Sequence, residues 1–168
     1  MTTLHRRLSA DGFSDSGFTV PELLVMILVV VILSALLLTN YQAARAKERD
    51  TQRVNDINQI DSKLESYYNV KNAYPATFNS AQLLGIDNGS LRDPNNRLVV
   101  FASPQADAAN AQKYPDPTRH QASYLYIPYP AGCTNAANNC TGFVLKSFIE
   151  KPTSTTPNPY VKVGINNN

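Results

Sequence analysis

The stretch that decides the fold lies near the N-terminus, where residues 16–38 read SGFTVPELLVMILVVVILSALLL. From Phe18 onward this run is long enough to cross a bilayer, because a helix rises about 1.5 Å per residue and the hydrocarbon layer is about 30 Å thick. Proline is compatible with a first helical turn, so Pro21 places the helix start around residues 19–21. The sequence therefore predicts a helix that can span a membrane.

Glu22 is the only charged residue in this run. A carboxylate in a membrane helix costs about 2.5–3.5 kcal/mol at the bilayer centre, so Glu22 is a candidate functional residue. An ordinary signal peptide is one interpretation, with Arg6 and Arg7 as its basic region and cleavage after residues 44–46, which read ARA. The apolar run is longer than the usual 7–15 residues or so of a signal peptide. A simple membrane anchor is a second interpretation, and a third depends on residues 16–22.

The helix is predicted to continue beyond the apolar run. Apolar residues recur at spacings of three and four, which is typical of one helix face: Val54, Ile57, Ile60, Leu64 and Tyr67 or Tyr68. The charged residues of the other face are predicted to be solvated. Proline disfavours helical backbone in the preceding residue, so the pair Tyr74-Pro75 predicts a helix end near residues 69–72. The result is one helix of about 50 residues.

The C-terminal part is predicted to form a small sheet. Strand patterns occur at residues 97–103, 123–128 and 142–150. We expect its tyrosines to pack the sheet against the helix rather than to form a ligand-stacking platform. Residues 104–121 are predicted to be a polar surface loop, and the tail an extended or partly disordered segment. A short helical piece is expected at residues 83–85, ending at a glycine.

Cys133 and Cys140 flank a polar octapeptide, CTNAANNC, between two of the predicted strands. A zinc site needs four ligands, and the two histidines, His5 and His120, are distant in sequence. A disulfide is therefore favoured over a metal site or two unpaired thiols, and it would place this region outside the cytoplasm.

The sequence contains no set of residues typical of catalysis, neither a Ser/His/Asp set nor a phosphate-binding glycine loop, so we predict that the protein is not an enzyme and needs no cofactor. A formal net charge of +2 does not suggest a nucleic-acid partner. No metal site is predicted. The weak alternative is calcium bound by C-terminal loops, with the candidate ligands Asp87, Asp93, Asp107 and Asp116.

Residues 16–22, SGFTVPE, resemble the G-F-T-x-x-E cleavage signature of type IV pilins and pseudopilins. The resemblance implies that a membrane-embedded prepilin peptidase cuts between Gly17 and Phe18 and that Phe18 is then N-methylated. It also implies that Glu22 meets the amino terminus of a neighbouring subunit and fixes the register of assembly. A second run, from Arg49-Asp50 to Tyr74-Pro75, resembles the corresponding run of bacterial pilins and major pseudopilins.

The resemblance implies an α+β, pilin-like fold in which a long N-terminal helix packs on a small C-terminal antiparallel sheet. Five segments are expected in this order: a prepilin leader at 1–17, a transmembrane or filament-core helix at 18–39, its amphipathic continuation at 40–72, a β domain at 73–150 and a Pro/Thr/Asn-rich tail at 151–168.

The function implied is that of a structural subunit of a type IV pilus, a surface filament for motility, adhesion or DNA uptake. Its expected partners are copies of itself and other pilins, prepilin peptidase, the pilus assembly platform and the cytoplasmic membrane. The precursor would cross that membrane once with its C-terminal domain outside, and the assembled filament would be extracellular. One alternative is a pseudopilin of a type II secretion system, although major pseudopilins often rely on calcium rather than on a disulfide. Another is a membrane-anchored extracytoplasmic binding module that never polymerises.

Overall fold

The computed structural model describes residues 17–83, 85–118 and 123–166, except for the side chains of residues 37–40. Helix α1 spans Val20–Lys71, 52 residues. A short 3₁₀ helix follows at Asn88–Leu91, and strand β1 is Val100–Phe101. Helix α2 covers Ala108–Lys113, and strands β2, β3 and β4 are Tyr124–Tyr129, Gly142–Ser147 and Tyr160–Val163. The chain divides into two compact units, Met1–Tyr41 and Gln42–Asn168.

Helix α1 confirms the predicted start, length and end. The residue after its last turn, Asn72, has a positive φ of 54° and donates its backbone N–H to the Tyr68 carbonyl at 2.7 Å. Asparagine tolerates this left-handed conformation better than most residues, so it is a suitable helix terminator. The helix therefore ends within the predicted range, shortly before the pair Tyr74-Pro75.

The four strands form one sheet in the order β1-β2-β3-β4. Strands β2 and β3 pair antiparallel, with Tyr126 opposite Leu145, and β3 pairs antiparallel with β4. Strand β1 runs parallel to β2, with Val100 opposite Leu125, so the sheet is mixed rather than wholly antiparallel as expected. The α+β architecture, a long helix packed on a small sheet, is confirmed.

One face of the sheet packs against the second half of α1. Ile57, Ile60 and Leu64, spaced at three and four residues, are fully buried there. They contact the sheet's aromatic residues Tyr124 and Tyr126, which are also fully buried, so the prediction that these tyrosines are packing residues is confirmed. Each buried aliphatic side chain contributes about 1.5–3 kcal/mol, and this face holds most of the unit's apolar core.

The other face of the sheet is covered as well. Leu125, Ile127 and Val144 are buried with Ala111 of α2, in the segment that we predicted to be an irregular surface loop. That prediction was wrong over residues 108–113. Asp107 caps α2 by accepting a hydrogen bond from the Asn110 backbone N–H at 2.8 Å. An aspartate before an alanine-rich segment is a sequence signal for the start of a helix.

Lys146 fastens the α2 segment to the sheet. Its ammonium is buried and lies 2.7 Å from the carbonyl oxygens of Gln112 and Tyr114 and from the Asp116 carboxylate. Because three acceptors surround the ammonium, the cost of burying a charge in the sheet is offset. Strands β2 and β3 are consequently buried on both faces.

The tail and the 83–85 segment differ from expectation in detail. The tail contains β4, with Val163 paired to Val144, where we assigned no strand. Around residue 83 the backbone forms a hydrogen-bonded turn, in which Leu83 N–H donates to the Asn79 carbonyl at 3.2 Å. Gly85 has the positive φ of 76° expected of a glycine terminator, and Leu84 lies outside the described residues.

Candidate functional site

The predicted cleavage and assembly residues lie at the beginning of helix α1. Gly17 and Phe18 precede the first helical residue, and Glu22 is in the first turn. The Thr19 backbone N–H donates to Glu22 Oε2 at 3.4 Å, and the Leu23 N–H donates to the Thr19 carbonyl at 3.1 Å. Within a single chain, therefore, Glu22 has a local donor and stays exposed. The predicted leader arginines, Arg6 and Arg7, lie outside the described residues.

The apolar half of α1 presents its side chains outward. Every described side chain from Val20 to Leu36 is exposed, and Phe18 is 68% exposed. The best 18-residue window has a mean hydropathy of 2.8 with none of it buried in the protein, so by length and composition it can cross a membrane. Soluble monomers rarely expose such a large continuous apolar surface. This half of the helix therefore needs lipid or other protein around it.

We predicted that the charged residues beyond the apolar run would be solvated. This is correct for Lys47 and Glu48, which are exposed, but wrong for three others. Arg53 is fully buried, and Asp50 and Asp56 are each 6% exposed. Asp50 and Arg53 bind Glu150 and the backbone after β3, about one hundred positions away in sequence. Asp56 binds Tyr124 of β2 instead. The prediction failed because helical periodicity shows which residues share a face but not what covers that face.

Glu150, just after β3, is the centre of this buried ionic cluster. Its carboxylate accepts two hydrogen bonds from Arg49 at 2.8 Å, in a bidentate geometry, and one from Arg53 Nη1 at 2.9 Å. These donors hold the pKa of Glu150 at about 2, and the hydrogen bonds from Arg49 are the largest cause. The hydrogen bond and charge of Glu150 in turn raise the pKa of Arg49. Sequence reasoning missed Glu150 altogether.

Asp50 completes the cluster by binding backbone as well as a side chain. It accepts from Arg53 Nη1 at 2.8 Å, from the Glu150 N–H at 2.9 Å and from the Lys151 N–H at 2.8 Å. The Arg53 guanidinium also lies 5.8 Å from the centre of the Phe148 ring. Helix α1 is therefore joined to the segment after β3 by charge-assisted bonds, which are stronger than neutral ones.

Two further contacts join α1 to other parts of the unit Gln42–Asn168. The Tyr124 hydroxyl donates to Asp56 Oδ2 at 2.6 Å, while burial, the larger influence, raises the pKa of Asp56. Nearer the end of the helix, Glu65 accepts from the Tyr74 hydroxyl and from the Ile165 N–H, each at 2.9 Å. The carboxylates of α1 thus hold the sheet at one end and the C-terminal residues at the other.

The two cysteines are brought together as predicted from their spacing. The sulfur atoms of Cys133 and Cys140 are 2.17 Å apart and the Cα atoms 5.0 Å apart. The Cys140 carbonyl also accepts a hydrogen bond from the Tyr74 N–H at 2.8 Å, which attaches the loop to the end of α1. The bridge would close this loop, and its presence in the native protein stays a prediction.

The four aspartates considered for calcium are not gathered in one place in the described parts of the chain, where no group of three or more His, Cys, Asp or Glu side chains is arranged to hold a metal. Asp87 accepts from the Gly89 N–H and Asp107 caps α2. Asp93 accepts from the Ser123 hydroxyl and from the Arg97 N–H, and Asp116 pairs with Lys146. Each of these carboxylates therefore has a protein donor.

Part of the chain is similar to a protein of a bacterial secretion system. Type II secretion system core protein G of Pectobacterium carotovorum subsp. carotovorum is 32% identical over 67 residues, which is 40% of this chain and 43% of that protein. The chain thus matches less than half the length of this curated relative. No family model matches the chain. No solved structure matches it either.

Proposed function

We propose that this chain is a pilin-like structural subunit that is cleaved between Gly17 and Phe18, methylated at Phe18 and assembled through helix α1 into a type IV pilus. The observation that carries the proposal is the outward-facing apolar half of α1, with one carboxylate, Glu22, in its first turn. The similarity to a secretion-system core protein supports a filament subunit of the same general kind.

Glu22 is proposed to set the register of the filament. An apolar helix in a membrane gains little free energy when another apolar helix replaces the lipid around it, because both surroundings are equally apolar. A carboxylate that meets the new amino group of a neighbouring Phe18 gains a charge-assisted bond in a medium of low dielectric. Cleavage after Gly17 creates that amino group, so processing would precede assembly.

The ionic cluster of Arg49, Asp50, Arg53 and Glu150 serves this function indirectly. It fastens the sheet to the part of α1 that follows the apolar run. A filament built from packed helices presents its sheets at defined positions only if each sheet is held firmly on its own helix. We therefore assign these residues a structural role rather than a catalytic one.

Replacement of Glu22 by Ala tests the proposal. The variant is expected to be cleaved and retained in the membrane while surface filaments are lost. The matched control is Glu48→Ala, which removes an equal charge from an exposed side chain of the same helix. Electron microscopy of whole cells and fractionation give the readouts. Normal filaments that contain none of this chain would instead favour a membrane-tethered module that does not polymerise. Normal filaments that contain the variant would show that Glu22 does not set their register.

A pseudopilin of a type II secretion system is the second candidate, and the match to core protein G is the observation that favours it. Deletion of the gene separates the two. Loss of surface filaments with normal secretion of extracellular enzymes supports a pilus subunit. Failure of secretion in a strain without visible surface filaments supports the pseudopilin.

A further inference from the structure

The part of helix α1 that follows Glu48 has an unusual distribution of charge. Between Arg49 and Val70, a stretch that the structure describes in full, all nine exposed residues are uncharged. The charged residues of the same stretch are buried or half-buried: Arg49, Asp50, Arg53, Asp56, Asp61, Lys63 and Glu65. A helix on the surface of a soluble protein ordinarily has the opposite arrangement, with its charged residues facing solvent. Because charged residues are depleted at the centre of protein interfaces, the outward face of this stretch suits a protein contact better than it suits water.

Six of the exposed residues form one row along the helix, which we call the uncharged seam. They recur at spacings of three and four residues: Gln52, Asn55, Gln59, Ser62, Ser66 and Asn69. This spacing places them on one side of α1, and the row is about 26 Å long because a helix rises 1.5 Å per residue. Helices that pack side by side have the same spacing at their contact. The seam therefore has the geometry of a helix-packing surface.

The side chains of the seam suit an identical partner. An amide group carries both donors and an acceptor, and a serine hydroxyl can also donate and accept, so each can bind a second copy of itself. The Asn55 amide and the Ser62 hydroxyl form no hydrogen bond with other residues in the described parts of the chain. A charge on such a surface would meet the same charge on an identical copy, which is unfavourable, whereas a partner of different sequence could carry the opposite charge. The uncharged character of the seam thus favours a second copy of this chain over other partners.

Space for a second helix is present along the seam. A groove of about 410 Å³ lies there, and its lining includes Asn55, Gln59 and Ser62. The Ser66 hydroxyl turns back to the Ser62 carbonyl, to which it donates at 2.8 Å, so this turn of the helix adds little bulk. We propose that the uncharged seam is a self-complementary contact, at which α1 of one copy packs on α1 of a second copy in the filament. This inference rests on the proposed function and names a surface through which the subunits meet.

Charges placed in the seam test the proposal. Ser62→Glu and Ser62→Lys are each expressed alone in a strain that lacks the native gene, and then both are expressed together. Ser62 is exposed and helical, and both new residues are good helix formers, so neither change should lower the urea midpoint of the purified chain. Each variant alone is expected to lose surface filaments in electron micrographs, because like charges meet at the contact. Coexpression is expected to restore filaments in part, because a glutamate on one copy can then meet a lysine on the next.

The matched control, Ala109→Glu, adds the same charge to an exposed position of α2 and should leave filaments at wild-type numbers. Wild-type numbers of filaments in the Ser62→Glu strain, or an equal loss in the control, would overturn the proposal. So would coexpressed variants that assemble no better than either alone, since the seam would then meet a different protein. Normal filaments in the Ser62→Glu strain alongside their loss in the Glu22→Ala strain would refute this inference and leave the proposed function standing. If wild-type cells form no filaments, the proposed function fails and this inference fails with it.

Discussion

Glu150→Gln tests whether the buried ionic cluster holds the sheet on helix α1. The pKa of Glu150 is about 2, against an ordinary value of 4.5. Each pH unit of such a difference corresponds to about 1.4 kcal/mol of folding stability, so the carboxylate contributes about 3 kcal/mol at neutral pH. The side chain of Glu150 is 8% exposed, so screening by solvent removes little of this, although Arg49 is 30% exposed. We therefore expect the free energy of unfolding to fall by about 2–3 kcal/mol.

The pH dependence of this effect follows from the direction of the change in pKa. The folded pKa lies below the unfolded one, so the stabilisation is complete above about pH 4.5 and is lost as the pH falls toward 2. The amide of glutamine does not titrate in this range. The difference in stability between wild type and variant should therefore be largest near neutral pH and should narrow steadily between pH 5 and pH 2.

Urea unfolding of the full chain in detergent measures the effect. The protein has nine tyrosines and no tryptophan, so near-ultraviolet circular dichroism of the tyrosines reports the packing of the sheet. With a slope of about 2 kcal/mol per molar urea, the midpoint should fall by about 1–1.5 M. The control is Glu48→Gln, whose side chain is 71% exposed and whose pairing with Arg45 should contribute less than about 0.5 kcal/mol. Equal midpoints for the two variants, or a difference that does not vary with pH, would refute the reasoning.

Three further predictions concern the sheet and its loop, each measured by urea unfolding. Tyr124→Phe removes the hydroxyl that donates to buried Asp56 and should lower the free energy of unfolding by about 1–3 kcal/mol. An unchanged free energy of unfolding would mean that water replaces the hydroxyl. Gly164→Ala would place a Cβ 2.9 Å from the Phe143 ring, so overpacking should cost about 1–3 kcal/mol, and an unchanged midpoint would show that the ring can move away. Cys133→Ser should cost about 2–3 kcal/mol relative to the unreduced wild type, and an equal midpoint with and without reductant in the wild type would contradict the predicted bridge.

Much of the fold could be predicted because its signals are local. Pro21 and Tyr74-Pro75 delimit α1, and the spacing of Ile57, Ile60 and Leu64 identifies the face that meets the sheet. Alternation of side chains located β2, and an apolar run located β3. Each of these elements is determined by residues a few positions apart, so the local sequence is enough to predict it.

The remainder depends on pairings between distant residues. Strand β4 reads YVKV, which is a local strand signal, but it is short and lies in a tail otherwise rich in proline, threonine and asparagine. It pairs with the edge of β3, a partner that the local sequence does not reveal. Glu150 is 101 positions from Arg49, and no local sequence pattern predicts that the two residues pair. The one available signal was Arg49 and Arg53, two arginines one turn apart beside Asp50, which a purely solvated face does not require.

Mass spectrometry of the N-terminal peptide of the protein isolated from cells tests the central claim most directly. We expect a peptide that begins at Phe18 and carries one methyl group on its α-amino nitrogen. A peptide that retains residues 1–17 would contradict this, because Phe18 would then have no free amino group for the Glu22 of a neighbouring subunit. A chain that begins at Lys47 would contradict it too, because Glu22 and the apolar helix would have been removed.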